Sequence, residues 1–278
     1  MKELYSYTVD QLREKSGKCI EVLEHDIDLY YHMALSMYEE IESHNREGKT
    51  TVCILPVGPV FQYRRFISLL KRKPLDLSNL YIFFMDEYLE ESGQCVDISN
   101  PLSFKGFINR ELVDPMPESM NLKRDQIYFP EPDKTNEFDA RIEKLGGIDL
   151  CHAGVGIVGH LAFNEPISES EISAEAFFQL PTRVVYLTKE TITINSNTAL
   201  RGAYEEIPKS AVTIGMKQIV EARKLNIYFN RPWQSAVCRK ALIMKPTPEF
   251  PVTLARKHLD ITYIMTESVA DRPDFALR

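Results

Sequence analysis

The sequence has no apolar run of the roughly eighteen residues that a membrane-spanning helix needs, and its opening, MKELYSYTVDQLREKSGK, lacks the apolar core of a secretory leader. Membrane insertion and export are not expected, and the chain reads as cytoplasmic. Positive charge is not in excess either: 33 Lys and Arg against 40 Asp and Glu give a formal charge of −7. Such a balance offers no general attraction to nucleic acid or to anionic lipid, although a local basic pocket could still hold a small phosphate. Cysteine is sparse, five residues at wide spacing with no CxxC pair, so neither a disulfide framework nor a zinc site is indicated. Cys53 and Cys151 lie inside apolar runs, where a thiol serves as a small buried hydrophobe. No internal repeat, low-complexity tract or linker divides the chain.

What is present is ordinary for a globular protein: 44% hydrophobic and 26% charged residues. At 278 residues the chain is near the roughly 250–300 residues at which one core stops growing, so a single domain over 1–278 is expected.

Between Glu24 and Glu40 the residues Ile27, Tyr30, Ala34, Met37 and Ile41 recur every three or four positions, the mark of an amphipathic helix. TVCILPV follows, a short β-branched apolar run closed by Pro56 and Gly58, which reads as a buried parallel strand. A helix is expected from about Val60 to Lys71. LYIFFMDEY is a second such run, ending in the carboxylates Asp86 and Glu87. A third, GIDLCHAGVG, comes after a helical stretch near Glu137 to Leu145 and runs into a glycine-rich turn. RVVYLT, AVTIGM and LNIYFN have strand character, while Met216 to Arg223 and Pro232 to Ala241 look helical. The alternation predicts an α/β fold, a doubly wound and mostly parallel sheet flanked by helices, with ligands bound beyond the strands' carboxyl ends.

The segment from Gly154 to Pro166, GVGIVGHLAFNEP, carries the most chemistry. Its glycines allow tight turns and close approach to a ligand. His160 and Glu165 are polar groups among Leu161, Ala162 and Phe163, so each needs a partner. An imidazole held by a carboxylate is a proton-transfer unit. Taken alone, His160 reads first as a satisfied core histidine and Glu165 as a helix-start or loop residue beside Pro166. Gly154, Gly156 and Gly159 match the spacing of a dinucleotide fingerprint, a weak signal without its later acidic residue.

MDEYLE at Met85–Glu90 and GHLAFNEP at Gly159–Pro166 closely resemble the signatures of glucosamine-6-phosphate deaminases, with weaker similarity in NPLSF, GGIDLC and IPKSAVTIGM in the same order. The resemblance implies conversion of an amino sugar phosphate and water to a ketose phosphate and ammonia, with no metal or organic cofactor. Asp86 matches the carboxylate that moves a proton between C2 and C1. His160 matches the histidine that opens the pyranose ring, and Glu165 the glutamate that holds it. Where the family commonly has an aspartate two residues before the histidine, this chain has Val158.

The family's phosphate loop, of the type LPTGGTP, is LPVGPVF here. Val57 and Val60 replace hydroxyl donors, and Pro59 removes a backbone N–H. The resemblance places Val57, Gly58, Pro59, Gly156, Gly159 and Asn164 at the substrate, with Asn197 and Gln234 where an arginine and a lysine are expected. Losing two charge-assisted bonds of roughly 1.5–3 kcal/mol each would weaken phosphate binding by orders of magnitude. Arg64, Arg65, Arg201 and Arg231 are the nearby cations that could stand in. Arg183 matches an arginine of the family's allosteric site, but Val185 stands where that site has a lysine, so the usual activation is not expected.

The expected partner is a small sugar or sugar phosphate, and a homo-oligomer is allowed. Two other functions compete: a 6-phosphogluconolactonase, which shares the fold and a related G-H loop but not the FNEP tail, and a non-catalytic sugar sensor whose pocket has changed.

Overall fold

A computed structural model describes residues 3–273. Its ten strands are β1 (Cys19–Leu23), β2 (Thr51–Leu55), β3 (Leu80–Phe84), β4 (Asp86–Leu89), β5 (Ile127–Tyr128), β6 (Leu150–Gly154), β7 (Arg183–Tyr186), β8 (Ser210–Thr213), β9 (Lys224–Phe229) and β10 (Ile261–Thr266). Seven form a parallel sheet in the order β1-β10-β9-β6-β2-β3-β5. The fold is α/β, as the alternation predicts.

Both faces of this sheet are covered, which is why its strands are continuous apolar runs rather than alternating ones. Along β2, Cys53 and Leu55 pack with Met37, Ile41 and Phe66 from helices Asp26–Arg46 and Gln62–Arg72. Val52 and Ile54 face the other way, toward Phe138, Ile142 and Val237 of helices Thr135–Lys144 and Gln234–Ile243. Each such side chain, when fully buried, contributes about 1.5–3 kcal/mol. In the long helix the buried stripe runs through Leu29, Met33, Met37 and Ile41, and Ile27, expected on that stripe, is 52% exposed.

From β2 the chain builds outward through β3 and β5, then returns to place β6 on the opposite side of β2. The loops after β2 and β6 therefore diverge and leave a crevice between them, the position where doubly wound folds bind ligands.

The expected strands RVVYLT and AVTIGM form, but not in the parallel sheet. β7 and β8 pair antiparallel, and β8 pairs antiparallel with β4, making a separate three-stranded sheet. The single strand expected across LYIFFMDEY accordingly breaks at Met85: β3 stays in the main sheet and β4 crosses to the small one. The physical signal is in β7 itself. Val184 and Tyr186 are exposed while Arg183 and Val185 are partly covered, the alternation of an antiparallel strand with one wet face. β1 and β10 pair with each other at one edge of the main sheet, adding strands the motif-based reading passes over.

Candidate active site

A cleft of about 460 Å³ lies at the carboxyl ends of β2, β3, β6 and β9. Its walls are the Pro56–Val60 loop, Asp86 and Tyr88 of β4, the loop after β6 with Gly156 and His160, and the turn from Asn230 to Gln234. The helix Lys189–Leu200 adds Ile194, Asn195, Thr198 and Ala199.

Asp86 is the first residue after the break that turns the chain from one sheet to the other. The change of sheet pins its backbone opposite Thr213 of β8, and its carboxyl is buried. Burial, with Glu87 alongside, pushes that carboxyl up to about 8. Among the described residues it has no hydrogen-bond partner, and it lines the cleft. Glu87 is the opposite case. Its carboxylate accepts from the N–H groups of Tyr88, Phe104 and Lys105 and from the Ser103 hydroxyl, at 2.9–3.0 Å. Burial still leaves its carboxyl above the usual range. The NPLSF segment thus anchors Glu87, and two adjacent carboxylates have separate jobs: one is saturated and structural, the other unpaired and facing the cleft.

The loop after β6 is shaped by its glycines at two points. A side chain at Gly156 would place its Cβ 1.9 Å from His160 Nε2, and one at Gly159, whose φ is +82°, would strike the Phe250 ring at 2.7 Å. The imidazole is seated against Gly156, with Phe163 edge-on at 5.7 Å between ring centres. On its far side, Nδ1 lies 3.2 Å from Glu165 Oε1, close but poorly aligned for a hydrogen bond, and 3.4 Å from Thr191 Oγ1. Thr188 Oγ1 is 3.0 Å from the other Glu165 oxygen. Burial alone would raise the Glu165 carboxyl, but His160, Thr191 and Thr188 outweigh it and hold the group below its ordinary value. A carboxylate kept ionised beside Nδ1 favours the tautomer with its proton there, which leaves Nε2 for a substrate proton.

Thr188 also caps the helix Lys189–Leu200 by accepting from the Thr191 N–H. One residue pair therefore starts the helix and braces the His160–Glu165 unit. A turn further on, Asn195 donates to the Tyr88 hydroxyl at 2.9 Å, so the helix is fastened both to β4 and to the His160–Glu165 loop.

No family model matches the chain. Among curated proteins it is 28% identical over 249 residues to a glucosamine-6-phosphate deaminase of Thermoanaerobacter sp. (strain X514), covering 87% of this chain and 91% of the relative. It is 29% identical over 248 residues to the enzyme of that name from Clostridium beijerinckii (strain ATCC 51743 / NCIMB 8052), covering 86% and 93%. The chain is similar to glucosamine-6-phosphate deaminases. The fold agrees: a monomeric glucosamine-6-phosphate deaminase superposes with a TM-score of 0.77 at 21% identity, over 91% of this chain and 98% of that one. A 6-phosphogluconolactonase from Trypanosoma cruzi superposes with 0.66 at 17% identity, over 91% and 96%.

Of the residues singled out in the deaminase-like motifs, Asp86, His160, Val57, Gly58, Pro59, Gly156 and Gln234 line the cleft. Glu165 stands behind His160. Gly159 and Asn164 lie outside the lining. The Asn164 side chain donates to the carbonyls of Leu161 and Ile214 and accepts from Arg183, so it fastens the loop to β8 and is fully engaged. Arg183, matched to an allosteric arginine, makes this contact through Nη1, which also reaches the Pro181 carbonyl. Asn197 faces outward on the helix Lys189–Leu200. Gln234 accepts from the N–H groups of Asn230 and Arg231 and donates to the Val155 carbonyl, each at 2.8 Å. Sequence reasoning missed Thr188, Thr191, Tyr88 and Asn195. The first two carry a legible signal, a threonine opening a helix with a second hydroxyl three residues on.

Among the described residues, no group of three His, Cys, Asp or Glu side chains is placed to hold a metal ion, and no helix is long and apolar enough to cross a membrane.

Proposed function

We propose that this chain opens, isomerises and deaminates an amino sugar phosphate, releasing ammonia and a ketose phosphate. One observation carries the reading: at the crevice of a deaminase-like fold, an unpaired buried carboxyl, Asp86, shares a cleft with an imidazole braced by a carboxylate, His160 and Glu165.

The chemistry follows from these groups. The pyranose opens when a proton passes from the anomeric hydroxyl to the ring oxygen, a transfer suited to His160 Nε2 while Glu165 stabilises the transient imidazolium. Asp86, ionised, then takes the proton from C2 and delivers one to C1. The resulting C2 imine adds water and expels ammonia, so sugar plus water balances ketose plus ammonia. An apolar surrounding makes Asp86 a stronger base than an exposed carboxylate, and a value near 8 lies close to working pH. A small sugar phosphate turned over in the cytoplasm is the setting this implies.

The lactonase alternative has the fold likeness in its support. It gives no role to Asp86, because lactone hydrolysis removes no proton from carbon. Purified protein should release ammonia and ketose phosphate from glucosamine 6-phosphate. Hydrolysis of 6-phosphogluconolactone without ammonia release from any amino sugar would reverse the assignment.

A further inference from the structure

Along the Pro56–Val60 loop the cleft presents few groups to an anion. Val57, Pro59 and Val60 line it there with apolar surface, and Pro59 has no N–H to offer. Gln234 is neutral, with its oxygen and one of its two N–H groups already taken by backbone partners. Arg64 is paired with Glu111, and the Lys105 ammonium lies over the Phe129 ring at 6.0 Å.

One cation remains. Among the described residues, Arg231 is the only lysine or arginine lining the cleft, and its guanidinium has no ion-pair partner there. Its backbone is fixed, since Gln234 Oε1 accepts both the Asn230 and Arg231 N–H groups. Two residues on is a second donor without an acceptor: the indole N–H of Trp233 is buried and unbonded, in a residue that also lines the cleft. A buried donor with no protein acceptor, in a residue at the wall of a cleft, is open to an acceptor supplied by water or by a ligand.

We infer that Arg231, supported by Trp233, holds the anionic substituent of the substrate, so that the turn after β9 does what the altered Pro56–Val60 loop no longer can. This rests on the amino sugar phosphate reading. It makes the chain selective for a sugar bearing one compact anion gripped mainly from one side, and Gln234 a positioning residue for that grip.

The test compares kcat/KM for glucosamine 6-phosphate and for glucosamine in wild type, Arg231→Met, Arg231→Lys and Trp233→Phe, with Arg65→Ala, on an exposed helix face, as control. One charge-assisted bond predicts that Arg231→Met lowers the preference for the phosphorylated sugar by at least about tenfold. Arg231→Lys should recover part of it, Trp233→Phe should lose less, and Arg65→Ala should lose none. An unchanged preference in Arg231→Met overturns the inference. Should wild type release no ammonia from either sugar, the proposed function fails separately. Calorimetric titration of wild type and Arg231→Met with glucosamine 6-phosphate then decides: weaker binding by the variant upholds the Arg231 assignment, and equal or absent binding overturns it.

Discussion

His160 Nδ1 and Glu165 Oε1 stand 3.2 Å apart, both nearly buried, with Thr191 and Thr188 closing the outer side. Thr191 Oγ1 lies 3.4 Å from Nδ1, and the Thr188 hydroxyl donates to the other Glu165 oxygen. Glu165→Gln keeps the shape but removes the charge that stabilises the imidazolium. Ring opening should slow, with kcat falling about a hundredfold. Assays with the ring-closed sugar measure this directly, and a substrate analogue locked in open-chain form should be affected far less.

Thr191→Val removes a hydroxyl near Nδ1 without changing volume much. The expected loss is three- to tenfold in kcat, in keeping with a net hydrogen bond of about 0.5–1.5 kcal/mol. A merely structural threonine would lower the melting temperature and leave the pH profile of kcat unmoved, so the shape of that profile is the deciding readout.

Gly156→Ala should be far more damaging than its size suggests. Its Cβ would sit 1.9 Å from His160 Nε2, so the imidazole must leave its seat. Activity should drop by two orders of magnitude or more, at a stability cost of about 1–3 kcal/mol, checked by urea unfolding alongside the assay.

Asp86 predicts two opposite pH effects. As a base it must be ionised, so kcat/KM should rise with pH through about 8. For stability the sign is reversed. The folded carboxyl sits above its unfolded value, so the folded state binds the extra proton, and wild type loses stability as pH rises from about 4 toward 8. Asp86→Asn carries no such penalty. Denaturation at pH 5 and pH 9 should show the variant gaining on wild type by on the order of 2–4 kcal/mol across that span.

The main sheet was legible because a strand buried on both faces must be apolar at every position, as TVCIL and LYIFF are. The small sheet was harder to read. Whether LYIFFMDEY is one strand or two depends on Asp86–Leu89 finding β8, more than a hundred residues later, and local pattern holds no trace of that pairing. The proposed trio Asp86, His160 and Glu165 was suggested by motif resemblance and by the oddity of a histidine and a glutamate among apolar neighbours, and the fold brings Asp86 and His160 to one cleft with Glu165 beside the imidazole. Asn164 shows the limit of such reading. It sits in the same motif as His160 and Glu165, yet its hydrogen bonds to Leu161, Ile214 and Arg183 make it a fastener of the loop. Thr188 and Thr191 went unread because a hydroxyl at a helix start signals a cap, and only the folded chain brings that cap against an imidazole.

The most direct test of the central claim is ammonia release from glucosamine 6-phosphate carrying deuterium at C2, by wild type and by Asp86→Asn. The account predicts that wild type is slowed by the label and that Asp86→Asn, although folded, releases essentially no ammonia. Release by Asp86→Asn at the wild-type rate would contradict it.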